Sequence, residues 1–149
     1  MSEDEKKDLL KKQACFTGLN EEELDTLSSL LVEERVPAGT LIVKQGEWVD
    51  NVYLIVEGEA DVKITLKDYP DQTASIATLG PEDAIGLNET GFYSVSGIRT
   101  ATVIAMTDMI LLRLSVAAFH GFALAFAHAN QVMRVHAQQL LGLAFKEKS

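Results

Sequence analysis

Several residue types are scarce in this sequence, and each shortage excludes something. A single cysteine, Cys15, cannot close an internal disulfide and has no second thiol at metal or redox spacing, so nothing calls for an oxidising compartment. It is expected to be a buried bystander thiol. Bases are outnumbered, 13 Lys and Arg against 22 Asp and Glu, and a net charge of −9 repels phosphate backbones, which argues against nucleic acid as a partner. Long apolar runs are missing. The longest, from Val116 to Ala129, is interrupted by His120 and Gly121 and falls short of the ~20 residues a membrane span requires. The opening residues Met1 to Asp8 contain no apolar signal core, so a cytoplasmic protein that does not engage membranes is expected.

Familiar catalytic constellations are also lacking. No Gly-x-Ser-x-Gly elbow, Walker loop or Gly-x-Gly-x-x-Gly fingerprint occurs, so no catalytic residue is assigned and the protein is not expected to be an enzyme. The histidines, His120, His128 and His136, recur every eight residues. On a helix each such step turns the side chain by about 80° and climbs about 12 Å, so they cannot share a metal, and no metal site is expected. Glu57 and Glu59 bracket Gly58 in a hairpin turn, where solvated acids are the simplest account, and Trp48 is expected to be a packing aromatic.

What is present suits one soluble domain: 149 residues, 47% hydrophobic and 23% charged. Residues 1–14 carry an acidic tail or short helix, and the domain proper is placed at 15–149. Asn20 followed by Glu21, Glu22 and Glu23 is an N-cap with a capping-box glutamate, opening a helix with an apolar face of Leu24, Leu27, Leu30 and Leu31 that ends before Pro37. From Val36 the pattern becomes extended, with turn residues every several positions. The clearest strand is Ala60 to Leu66, and Val52 to Val56, Ala74 to Leu79, Ala101 to Met106 and Met109 to Leu114 are further candidates. Ser115 is an N-cap for a final helical region carrying Phe119, Phe122 and Phe126, with Gly121 and Asn130 as potential breaks. The layout is mainly β with flanking helices, a barrel or sandwich between them.

The stretch Val36-Pro37-Ala38-Gly39-Thr40-Leu41-Ile42-Val43-Lys44-Gln45-Gly46-Glu47-Trp48-Val49-Asp50-Asn51-Val52-Tyr53-Leu54-Ile55-Val56-Glu57-Gly58-Glu59-Ala60-Asp61-Val62 strongly resembles the opening of cyclic-nucleotide-binding domains. In physical terms Gly39, Gly46 and Gly58 serve three tight corners, and Leu41, Val43, Tyr53, Ile55, Ala60 and Val62 fill the interior. The resemblance extends over nearly the whole chain and implies a jelly-roll-like β-roll, a double-stranded barrel at about 36–114, with an N-terminal helical segment and C-terminal helices at about 115–145.

The same resemblance places a ligand cassette at residues 79–103. It implies that Arg99, in Arg99-Thr100-Ala101-Thr102-Val103, pairs with the cyclic phosphate while backbone N–H groups of a short helix face it. Gly86 lets the backbone approach the ligand, and Thr100 offers a hydroxyl. The implied ligand set is Gly86, Leu87, Asn88, Glu89, Arg99, Thr100 and Ala101. The family has a ribose-binding Glu directly after the glycine, where this chain has Leu87; Glu89, with Asn88 in the glycine's place, is the other register, and the sequence leaves both open. Gly80-Pro81 implies a retained turn into the cassette. The expected function is a stand-alone sensor for cyclic AMP or cyclic GMP, needing no cofactor and acting on an unknown effector protein. The alternative is a degenerate domain serving protein interaction or dimerisation, with a homodimer through Leu140, Leu141, Leu143 and Phe145 of the C-terminal helix. Without a helix-turn-helix after Phe145, a DNA-binding regulator is the weaker expectation.

Overall fold

In the computed structural model, residues 1–13, 16–66, 68–88, 91–92, 98–128 and 131 are described. Helices α1 (Glu3–Lys11) and α2 (Glu21–Ser29) precede ten strands, and α3 (Val116–Ala125) follows them. The α2 N-terminus is the capping box anticipated from sequence: Glu23 N–H donates to Asn20 Oδ1 at 2.9 Å, and Asn20 N–H donates to Glu23 Oε1 at 2.8 Å. Leu24, Leu27 and Leu31 are buried from this face. Ser115 caps α3 through a hydrogen bond from Ala118 N–H at 3.2 Å. Gly121 lies within α3 and does not break it.

The strands are β1 (Val32–Val36), β2 (Leu41–Val43), β3 (Asn51–Glu57), β4 (Ala60–Leu66), β5 (Tyr69–Leu79), β6 (Ala84–Ile85), β7 (Leu87–Asn88), β8 (Gly91–Phe92), β9 (Thr102–Ala105) and β10 (Met109–Ser115). They form two four-stranded antiparallel sheets, ordered β1-β10-β3-β6 and β2-β9-β4-β5, and a two-stranded ribbon, β7-β8. Two apolar cores result. Ile55, Ala60, Val103, Ala105, Met109 and Leu111 pack between the sheets. Val52, Leu54, Leu112 and Leu114 face the other way and pack against Leu10, Phe16, Leu24, Leu27, Phe119 and Phe122 from the helices. Strands β3 and β10 are thus covered on both faces, which is why their sequences are nearly continuous apolar runs and not alternating ones.

Some sequence expectations are corrected. Residues 32–36 are a strand, β1, paired with β10, and not the tail of α2; its sequence, Val-Glu-Glu-Arg-Val, has few apolar residues because it is a largely exposed edge. The β-roll therefore begins at Val32. Leu41 is 51% exposed and does not fill the interior, and Trp48, at 72% exposed, is not a packing aromatic. The Trp48 backbone pairs with that of Ile98 in an isolated antiparallel bridge. The turn anticipated around Asp68 to Asp71 is partly absorbed into β5. Pro70 is tolerated there because β5 is an edge strand, and the ladder slips between Thr65 and Leu66. Cys15, Glu89, Asn130, His136 and the C-terminal apolar residues from Leu140 onward lie outside the described residues.

Candidate functional site

A cavity of about 470 Å³ opens between the sheets. Its apolar walls come from Val43, Val62, Ile64, Ile76, Ala77, Leu79 and Val103, and Gly86, Arg99, Thr100 and Ala101 line it as well. Strand alternation explains the walls. Val62 and Ile64 lie on one face of β4, whereas Asp61, Lys63 and Thr65 lie on the other.

Arg99 is only 7% exposed, an unusual setting for a side chain that stays charged across the physiological range. Its main chain is fixed from both directions, since Arg99 N–H donates to Glu47 O at 2.8 Å and Arg99 O accepts from Gly46 N–H at 2.9 Å. Its guanidinium Nη2 donates to the backbone carbonyl of Asn51 at the start of β3. Burial pushes the arginine below its ordinary pKa, and the nearby acids Asp50 and Glu47 act the other way. Among the described residues no carboxylate pairs directly with the guanidinium. A second, smaller cavity of about 200 Å³, lined in part by Lys44, Glu47, Trp48, Asp50 and Tyr53, shares Arg99 with the first. The Tyr53 phenol there is held above the usual tyrosine value, chiefly by burial and then by the charge of Glu34.

Gly86 is what lets Arg99 sit where it does. Its φ is +90°, and a Cβ built on it would meet Arg99 Nη1 at 2.9 Å and Val52 Cγ1 at 2.9 Å. The turn entering this region is tight: Asp83 N–H donates to Gly80 O at 3.0 Å, Gly80 N–H donates to Asp83 Oδ2 at 2.8 Å, and Glu82 has a φ of +77°.

Of the seven ligand residues anticipated, Gly86, Arg99, Thr100 and Ala101 line one cavity. Leu87 and Asn88 follow Gly86 as β7, paired with Gly91 and Phe92 of β8. These residues are extended, so the short helix expected to face the phosphate is not found at residues 87–88 or 91–92. Glu89 is outside the described residues. Sequence reasoning missed the Asn51 carbonyl, which as a backbone group carries no residue signature, and the part of the cavity floor formed by Ile76. The alternation in β4 pointed to Ile64; nothing pointed to Ile76, which is 56% exposed on an edge strand. Among the described residues no three His, Cys, Asp or Glu side chains gather as a metal site, and no helix is long and apolar enough to cross a membrane.

Comparison with known proteins adds an independent line. The family model for the cyclic nucleotide-binding domain matches residues 33–125, more than half of the chain. The Pycsar effector protein XpPycTIR of Xanthomonas perforans is 31% identical over 90 residues, covering 60% of this chain but only 27% of that protein. The solved N-terminal domain of a transcriptional regulator from Streptomyces coelicolor A3(2) superposes with a TM-score of 0.81 at 22% identity, over 95% of this chain and 96% of that one. The regulatory domain of Toxoplasma gondii PKA, co-crystallised with cAMP, gives a TM-score of 0.71 at 21% identity, over 80% of this chain and 44% of that one.

Proposed function

The chain belongs to the cyclic nucleotide-binding domain family, and from that premise we propose that it is a regulatory sensor module that takes cyclic AMP or cyclic GMP into the cavity between its sheets. The observation that carries the reading is the buried guanidinium of Arg99, held by a backbone carbonyl at the edge of an otherwise apolar hollow. Such a hollow suits a compact anion joined to a flat, weakly polar ring system: the cation takes the phosphate, and Val62, Ile64, Ile76 and Leu79 cover the base and sugar. Gly86 and Thr100 would lie beside the phosphate, with Leu87, Asn88, Glu89 and Ala101 completing the surround. Ligand contacts would then shift a pre-existing equilibrium of the helices after Ser115 and so inform an effector protein.

A second reading keeps the fold without the ligand: a degenerate member that serves protein interaction or dimerisation. It draws on Leu87 standing where the family places its ribose-binding Glu and on the extended β7-β8 ribbon after Gly86. Loss of that one charge-assisted hydrogen bond would weaken binding roughly tenfold to a hundredfold.

Thermal unfolding separates the two readings. A ligand at about a hundred times its dissociation constant stabilises by about 2.7 kcal/mol, which raises the midpoint by about 5–10 °C for a domain of this size. The sensor reading expects such a rise with millimolar cyclic AMP or cyclic GMP. An unchanged midpoint with both nucleotides leaves the interaction module.

A further inference from the structure

We propose that Glu23 and His128 form a releasable catch fastening the chain that leaves α3 to the first turn of α2. The Glu23 side chain is 2% exposed, whereas that of His128 is 56% exposed. His128 Nδ1 lies 2.8 Å from Glu23 Oε1 and 3.0 Å from Oε2. An ionised carboxylate only accepts, so Nδ1 carries the proton and donates. The contact joins residues 105 positions apart in sequence, and it lies outside the nucleotide cavity.

Removing the partner of a buried carboxylate ordinarily strands its charge, which makes such contacts poor catches. Glu23 is an exception because of where it sits. As the third residue of α2 it also accepts the Asn20 N–H at 2.8 Å, and it lies at the positive end of the helix dipole. When His128 leaves, the carboxylate keeps its capping bond and its favourable field, so opening costs one charge-assisted hydrogen bond without orphaning the acid. The imidazole, already half in water, loses little on release.

The flanking structure fits a part that opens. Helix α3 departs from helical geometry at Phe126, with φ −120° and ψ +86°, two residues before His128. On α2, Glu21 and Asp25 are engaged by Lys7 of α1. Glu23 lies about 200° round the helix from Glu21, so the catch does not compete with that cluster. The α1 to α2 contact can persist while the catch opens.

Amide hydrogen exchange on the full chain tests this. His128→Ala, at an exposed position, is expected to raise exchange at residues 119–128 about tenfold or more and to leave β3 and β10 unchanged. His128→Asn, whose amide nitrogen can stand where Nδ1 stood, is expected to recover most of the protection. Glu23→Gln combined with His128→Ala is expected to add nothing at residues 119–128 beyond His128→Ala alone, whatever it costs at the α2 cap. Exchange at 119–128 within twofold of wild type in His128→Ala, a uniform rise that includes β3 and β10, or additivity at 119–128 in the double variant would overturn the proposal.

Discussion

At the scale of single residues, Arg99 and Gly86 work as a pair. The guanidinium occupies space that any other residue at position 86 would fill, and the backbone there adopts a φ that side chains resist. Gly86→Ala is therefore expected to cost about 1–3 kcal/mol in urea unfolding and to weaken nucleotide binding by displacing Arg99. Full stability together with full affinity would contradict the geometry. Tyr53 makes the stability depend on pH. Its pKa is raised by burial and then by Glu34, so the fold favours the neutral phenol. That contribution is fully present below the ordinary tyrosine pKa and is lost as pH rises through the native value. An absorbance titration should show one phenol ionising late, and Tyr53→Phe should remove that component and flatten the alkaline limb of the stability curve. Arg99 and Gly86 were singled out through the family resemblance of the stretch around them, not through residue type alone, and both line the cavity. The Asn51 carbonyl was not singled out, since any residue brings one, and the choice between Leu87 and Glu89 depends on loop register, which spacing alone does not fix.

Secondary-structure elements divide into those that hold the fold and those that shape the cavity. Strand β10 runs through the centre of its sheet, buried on both faces, and Leu112 is fully buried against the helices. Leu112→Ala should cost about 2–5 kcal/mol. Ile76, 56% exposed on edge strand β5, contributes to the cavity floor, so Ile76→Ala should cost well under about 1 kcal/mol in stability yet weaken nucleotide affinity. Chemical denaturation and ligand titration of both variants check the division; a large stability loss at Ile76 would place it in the core. This contrast also explains what could be read in advance. Strand β4, with one wet and one apolar face, was found with its bounds intact, and the capping box marked the start of α2. Strand β1 was missed because an edge strand with three charged residues among five leaves no period to detect, and β5 was cut short because Pro70 signals a turn unless its edge position is known.

For the molecule as a whole, the sign of the charge is instructive. A surface with a net −9 does not gather anions at long range, so the proposed recognition of a phosphate would rest on a local, buried cation and not on a basic face. Both sheets and the turns between them converge on that one group: Gly46 and Glu47 fix its main chain, Asn51 fixes its head, and Gly86 makes room for it. Isothermal titration of the wild-type chain and of Arg99→Ala with cyclic AMP and cyclic GMP tests this most directly. A single-site heat with at least one nucleotide is expected for the wild type, and a loss of roughly a hundredfold or more in affinity for the variant. Equal binding by the two proteins would contradict it.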